Sequence, residues 1–431
     1  MRPGARVSAA IDILETVLTR HQPVATALSD WGKAHRFAGS GDRSAIGTLV
    51  YDALRHKSSA AHVMGSDAPR ALILGGMLRS GAQADAIAAL CNGDQHSPTP
   101  LLVEESLRIA SPSTDGAPPW VLGDYPEWLH PELQRTFGDN AAAEGATLAE
   151  RAPIHVRANT LKADRDKVVK ALAQYGAKEC SYSSTGVAIP APIGGAKQPH
   201  LEADTAHGKG WFEIQDEGSQ IAAALTGVGP RMQVLDLCAG AGGKTLALAA
   251  TMQNTGQLYA YDRDKHQLRP IFERLKRAGV RNVQVIDAAD EAALANLGPR
   301  FDRVLVDAPC SGSGTWRRRP DAKWRLKPEA LVERLEEQRA VLERASTTVK
   351  PGGRLIYVTC SVLAQENSDQ IDAFLAAHSE FQILPYADVW LETLPGEPPV
   401  SSDGRNDTLL LTPRQHGTDG FFIAVLKRAS S

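Results

Sequence analysis

Two of the chain's five cysteines stand where chemistry is possible. Cys310 lies in VDAPCSGSGTW, residues 306–316, and Cys360 in LIYVTCSV, residues 355–362; each closes an apolar run in a turn of small residues. Taken singly, a free cysteine is most often buried and inert, and Cys91, Cys180 and Cys238 are read that way. The pair differs because both members fall at the carboxyl ends of predicted neighbouring strands. Cys360 also precedes a predicted helix, whose N-terminal dipole would lower its pKa and raise its thiolate fraction. One thiol can then attack a substrate while another residue handles the protons.

The same strand tips carry acids. DLCAGAGGKT, residues 236–245, leaves a buried-strand pattern, turns through Gly240, Gly242 and Gly243, and enters the helix TLALAATM. Glycines in such a turn let backbone amides approach a ligand, and the helix N-terminus favours a negative or polar group. The loop is neither the G-x-G-x-x-G fingerprint nor a full P-loop before Lys244, so alone it also reads as a plain strand-to-helix turn. The next strand ends at Asp262, where a carboxylate can accept hydrogen bonds from the two hydroxyls of a ribose. The third ends at Asp287 and the fourth at Asp307. Isolated, each aspartate would be a turn former or a cap. Along one edge of a doubly wound sheet, where ligands bind, the set points to a nucleoside-bearing cofactor.

A polar substrate has a candidate surface. WRRRPDAKWRLK, residues 316–327, holds six basic residues, one acid and two tryptophans directly after the Asp307–Cys310 loop. A charge run is ordinarily a solvated face, but arginine and lysine neutralise phosphates and tryptophan stacks on bases. Arg317, Arg318, Arg319, Lys323 and Arg325 are therefore candidate nucleic-acid contacts, joined upstream by Arg157, Lys162 and Arg165.

These residues need elements to position them. Over residues 5–91, Val7, Ile11, Leu14 and Leu18 recur at helical spacing, as do Ile46, Val50 and Leu54 after a possible N-cap at Asp42. Stretches such as CNGDQHSPTP and SPSTDGAPP read as connections. From Ala152, IHVRANTL, DRDKVVKALAQYG, GVAIP and GWFEI predict a small α+β unit. From about residue 230, QVLDLC, LYAYD, VQVID, FDRVLVD and GRLIYVT alternate with helical segments and DGFFIAVL closes the chain, which predicts a largely parallel, doubly wound sheet. At 431 residues, two or three domains are expected. The net charge of −3 gives no global attraction to a polyanion, so any nucleic-acid site is a local patch. Scattered cysteines without a C-x-x-C pair argue against disulfides and structural zinc. No apolar run is long enough to span a membrane, and a cytoplasmic protein is expected.

In order from about residue 125 to the end, YPEWL, VRANTLK, FEIQDEGSQ, VLDLCAGAGGKT, VDAPCSGSGTWRRRPD, the helix around Gln338, GGRLIYVTCSVLAQEN and HGTDGFFIA match a known pattern. The chain resembles the Sun/Nop-type RNA (cytosine-5) methyltransferases, in particular the bacterial ribosomal-RNA branch (Sun/Fmu, RsmB-like). Residues 1–120 resemble the family's NusB-like helical extension more loosely, as in DRSAIGTLVYDALRH. The resemblance implies an all-α NusB-like domain over residues 1–122 that binds RNA or protein. It further implies a small α+β, RRM-like, RNA-binding subdomain over 123–220 and an α/β, Rossmann-like, doubly wound class I methyltransferase domain over 221–431.

It also implies S-adenosylmethionine as methyl donor, held by Cys238, Ala239, Gly240, Ala241, Gly242, Gly243 and Lys244, by Asp262 on the ribose, by Asp287 near the adenine, and by Asp307. Cys360 would be the nucleophile toward carbon 6 of an extruded cytosine, Cys310 the agent of product release, and Asp307 the partner of the cytosine edge. The expected substrate is small-subunit (16S) ribosomal RNA, with no metal or membrane and a monomeric enzyme. The alternatives are transfer RNA, a DNA cytosine methyltransferase with Cys310 as nucleophile, and a non-catalytic RNA-binding assembly factor. The chain departs from the family's C-A-A-P-G-G-K loop at Gly240 and Ala241, which is expected to loosen the loop. It departs again at Gly218, in place of a small apolar residue, and at Val358, in place of a commoner serine.

Overall fold

The computed structural model describes residues 1–192 and 198–430, and by contacts the chain divides into two compact units. The first is built chiefly of Met1–Arg151 and Trp316–Leu326; the second comprises Ala152–Ala191, Gln198–Thr315 and the chain from Lys327 onward.

The first unit is helical. Helices Pro3–Arg20, Ser40–Arg55 and Pro69–Arg79 pack on one another. Proline opens two of them, at a position where its missing N–H has no intrahelical partner to lose. Val7, Ala10, Leu14 and Val17 bury against Ile46, Val50, Leu54, Leu72 and Ile73, while Ile11 and Leu18 sit half-buried at the edge. Asp42 is not the cap expected of it: the helix begins at Ser40. Its carboxylate instead accepts from Gly39 N at 3.3 Å and pairs with Arg6 at 2.8 Å. Helices do not stop at residue 122, since His130–Phe137 and Ala141–Ala149 belong to the same unit. Among the described residues no helix is long and apolar enough to cross a membrane.

The second unit holds two sheets. Strands β1 (Ile154–Ala158), β2 (Lys178–Glu179), β3 (Gly186–Ile189) and β4 (Phe212–Ile214) form a four-stranded antiparallel sheet in the order β2-β3-β1-β4. Val156, Ala158, Val187 and Phe212 share a core with Val168 and Leu172 from the intervening helical segment. The eight-stranded sheet contains β5 (Gln233–Asp236), β6 (Gln257–Ala260), β7 (Val283–Val285), β8 (Phe301–Asp307), β9 (Val349–Thr359), β10 (Phe381–Leu384), β11 (Leu409–Leu411) and β12 (Phe421–Arg428). Its order is β10-β12-β9-β8-β5-β6-β7, with β11 paired to β12. Strands β5 to β9 are parallel, while β12 runs antiparallel to β9. The sheet is therefore mixed at the end where the closing strand inserts. The chain leaves β5 toward β6 and β7 on one side and returns through β8 and β9 on the other, so β5 and β8 flank the switch point at which such sheets bind ligands.

Candidate active site

The glycine turn leaves β5 at that switch point. Gly240 has φ +50° and Gly242 φ +85°, in the left-handed region that only glycine enters cheaply. A Cβ on Gly242 would lie 2.5 Å from Ile271 Cγ1, whereas one on Gly240 would meet nothing within 4 Å. The turn thus faces open space at Gly240 and is packed from behind at Gly242. Gly240 N donates to Asp262 Oδ2 at 2.8 Å, and Arg274 Nη1 donates to Ala241 O at 2.9 Å. Lys244, buried at the start of the helix Gly243–Thr251, bonds Asp307 Oδ2 at 2.7 Å and so joins the turn to the tip of β8.

Beneath the turn lies Asp236, which motif reading passed over although it is an acid inside an apolar strand. It is fully buried; Thr245 Oγ1 donates to its Oδ2 at 2.7 Å, and among the described residues Oδ1 has no hydrogen-bond partner. Burial pushes its pKa up to about 7. Asp287 is exposed, with Oδ1 accepting from Ala289 N at 2.9 Å. Cys238 is held as a thiol, since burial and the surrounding acids Asp262, Asp236 and Asp307 push it well above the ordinary range.

One strand further, the two thiols meet. Cys310 Sγ and Cys360 Sγ are 3.5 Å apart, and both residues are half-buried. Their strands are parallel neighbours with Asp307 opposite Val358, so turns separated by 50 positions in sequence emerge side by side. Cys310 is pushed well above the usual thiol range, first by its hydrogen bond with Cys360 and then by burial. The helix expected to follow Cys360 begins only at Ser368. Its dipole therefore falls off before reaching the sulfur.

The Cys360 turn is braced by backbone. Cys360 O accepts from Gly314 N at 2.9 Å, and Gly314 O accepts from Gly420 N at 2.8 Å. A Cβ on Gly314 would lie 2.2 Å from Gly420 O, which is why two glycines stand there. Asp419 N donates to Asp216 Oδ1 at 2.9 Å, and Asp216 Oδ2 lies 3.0 Å from His155 Nδ1, so the QDEGSQ and HGTDGFF stretches support one corner. A Cβ on Gly218 would come within 2.7 Å of the Phe421 ring, which accounts for glycine at that position. Val358 is buried within β9, in register with Asp307. Three buried polar residues beside the thiols, Gln338, Glu366 and Asn367, also escaped motif reading; the string AQEN and the Gln338 helix were their only trace.

Three of the expected nucleic-acid contacts, Arg157, Arg317 and Lys323, are buried. Arg317 and Lys323 are buried, and the segment Trp316–Leu326 is part of the helical unit. Lys323 Nζ donates to Arg55 O at 2.8 Å and Trp324 Nε1 to Leu54 O at 2.6 Å, while burial pulls the lysine's pKa down to about 7. Lys323 is thus spent inside the fold rather than on phosphates. Arg318 is half-buried; Arg319 and Arg325 are exposed, and Arg325 pairs with Asp321 at 3.2 Å. Arg157 is buried too, its Nε donating to Gln215 Oε1 at 2.7 Å. Lys162 is exposed, but its ammonium donates to Arg277 O at 2.6 Å and Lys209 O at 3.2 Å; Arg165 pairs with Glu179 at 2.7 Å.

Residues 226–427 match the 16S rRNA methyltransferase RsmB/F family, and residues 125–194 match the ferredoxin-like domain of RsmF/B-like methyltransferases. The ribosomal RNA small subunit methyltransferase B of Shewanella oneidensis is 34% identical over 306 residues, 71% of this chain and 67% of that one. The chain belongs to the RsmB/F methyltransferase family. A protein of the same name from Pseudomonas syringae pv. tomato is 32% identical over 310 residues, 72% of this chain and 66% of its own, so the match spans about two thirds of these relatives. The crystal structure of PH0851 matches with a TM-score of 0.73 at 25% identity over 99% of both chains. That of NSun6 from Pyrococcus horikoshii with SFG shares the fold, with a TM-score of 0.62 at 22% identity over 71% of this chain and 99% of that one. At the two positions where the turn was expected to be looser, Gly240 N donates to Asp262 and Ala241 O accepts from Arg274.

Proposed function

We propose that this protein is an S-adenosylmethionine-dependent RNA (cytosine-5)-methyltransferase of small-subunit ribosomal RNA, with Cys360 as nucleophile. The observation that carries the reading is the pair of sulfurs 3.5 Å apart, one strand from the Lys244–Asp307 bridge at the sheet's switch point. The names of the relatives, ribosomal RNA small subunit methyltransferase B, favour the ribosomal substrate.

The residues at the switch point fit the cofactor. The open face of Gly240, the Asp262 carboxylate at the tip of the second strand and the buried, unpartnered Asp236 Oδ1 offer a polar cradle for a charged nucleoside. S-adenosylmethionine, when bound, supplies an electrophilic methyl group. Carbon 5 of cytosine is a poor nucleophile until a thiolate adds to carbon 6 and pushes electrons toward it, and Cys360 makes that bond. Asp307, with Lys244 on Oδ2, hydrogen-bonds the N3/N4 edge and stabilises charge that develops there. Carbon 5 must then lose its proton so that the sulfur–carbon bond breaks and Cys360 leaves.

Cys310 is suited to that last step. At rest the largest influence holding its proton is the Cys360 sulfur. Once that sulfur is bonded to carbon 6 the influence is gone, and Cys310 gives up its proton more readily to become the base for carbon 5. The test is a denaturing gel of the protein with labelled small-subunit RNA and S-adenosylmethionine. Cys310→Ala should accumulate a covalent RNA–protein adduct and Cys360→Ala should show none; the reverse pattern overturns the assignment.

A further inference from the structure

Glu366 and Asn367 close the turn after Cys360, and each holds one of the two thiol turns. Glu366 is fully buried, and among the described residues its carboxylate is met by neutral donors. Ser311 N at 2.7 Å and Gln338 Nε2 at 3.0 Å reach Oε1, and Ser311 Oγ reaches Oε2. The same Gln338 amide donates to Pro309 O at 2.9 Å. Both neighbours of Cys310 in the chain are thereby tied to one carboxylate, Ser311 directly and Pro309 through Gln338.

Asn367 does the same for Cys360. Its Oδ1 accepts from Thr359 Oγ1 at 2.6 Å, and its Nδ2 donates to Ser361 O at 2.9 Å. Tyr357 OH donates to Glu366 O at 2.7 Å and fastens the dipeptide to β9. A carboxylate taken out of water is costly unless donors satisfy it, and here the donors that satisfy it belong to, or also hold, the turn around one sulfur. Displacing a reacting atom by about 1 Å can cost a hundredfold in rate, so a support of this kind acts directly on catalysis.

We propose that Glu366 and Asn367 are positioning residues that set the two sulfurs separately, Glu366 holding the Cys310 turn for product release and Asn367 holding the Cys360 turn for attack. This rests on the assignment of attack to Cys360 and release to Cys310. Adjacent residues would then govern different steps of one reaction.

The experiment measures turnover, KM for RNA and S-adenosylmethionine, and covalent adduct on denaturing gels, for the full chain with unmodified small-subunit RNA. Glu366→Gln should lower kcat roughly tenfold to hundredfold, with KM unchanged and adduct accumulating. Asn367→Ala should lower kcat by a similar factor with adduct below the wild-type level. Ser311→Ala and Thr359→Val remove one hydrogen bond from each clamp and should give weaker copies of the two patterns; they carry the test if either buried substitution fails to fold. Residues that served stability alone would lose adduct and turnover together in both variants, and that parallel loss overturns the proposal. Cys310→Ala and Cys360→Ala run alongside. If those two fail to differ in adduct, the assignment of the thiols has failed; if they differ and the clamp variants do not, the clamp has failed.

Discussion

Replacing Gly314 by alanine tests whether the Cys360 turn is held by close backbone packing. The new Cβ would lie 2.2 Å from Gly420 O and 2.7 Å from both the carbonyl carbon and Cα of that residue. Carbon atoms do not approach that closely, so one backbone must retreat by about 1 Å, and overpacking of this kind costs about 1–3 kcal/mol. The retreat also strains the Gly420 N to Gly314 O and Gly314 N to Cys360 O bonds, now 2.8 and 2.9 Å, each worth about 1 kcal/mol. A total of about 2–4 kcal/mol should lower the Tm by roughly 4–8 °C. Calorimetry gives the stability, and methyl transfer to small-subunit RNA well below the new Tm gives the activity. Activity should fall further than the folded fraction accounts for, because the displaced carbonyl belongs to Cys360, the proposed nucleophile. A Gly314→Ala protein with unchanged Tm and turnover would refute the contact and the support drawn from it.

The 3.5 Å sulfur separation needs to shrink to about 2.05 Å to make a disulfide. Hydrogen peroxide should therefore link Cys310 to Cys360 with loss of two hydrogens and formation of water, abolishing turnover until dithiothreitol restores it. Peptide mapping reads the crosslink, and its absence after activity is lost would contradict the geometry. Asp236 bears on pH. Its pKa is raised from 3.8 to about 7 in the folded state, so the unfolded chain binds fewer protons between these values and stability falls as pH rises from about 4 to about 7, by a few kcal/mol. The stability difference between wild type and Asp236→Asn, from urea unfolding at several pH values, should change over that window and level off above it; a constant difference would exclude the shift.

The parts of the fold visible in the sequence are those whose apolar runs are long enough to speak for themselves. Strands β5, β6, β8, β9 and β12 each carry such a run, and the acids and thiols that end them mark the sheet edge. Strand β2 is two exposed residues, Lys178 and Glu179, without an apolar signal. In β11, Leu409–Leu411 suits a buried helix or strand equally. Strand direction is not written in hydrophobicity at all, so the antiparallel entry of β12 had no trace in its residues. The basic run misled for a related reason: composition counts charges but does not reveal that Lys323 ends on a carbonyl. Glu366 and Asn367 carry no chemical mark of their own in the sequence, since their partners at 309–311, 338 and 359–361 come from separate segments.

The sheet order gives a reason for the two roles proposed for one aspartate. Asp262 and Asp287 follow β6 and β7, on one side of β5; Cys310 and Cys360 follow β8 and β9, on the other. Strand β8 lies between β5, which leads into the glycine turn, and β9, which leads into the Cys360 turn. Its terminal Asp307 receives Lys244 from the glycine turn and stands three residues before Cys310. An anion shared in this way couples cofactor side and thiol side through a single ion pair. Neutralising it as Asp307→Asn would free the Lys244 ammonium, which is 8% exposed, and a buried charge without its partner is costly. Under the proposed function that cost would fall on the turn assigned to the cofactor as well as on the cytosine edge, so the two roles proposed for Asp307 would be inseparable by substitution at that residue. Replacing Lys244 would leave the β8 carboxylate in place for the proposed base contact while removing the ion pair that ties it to the glycine turn.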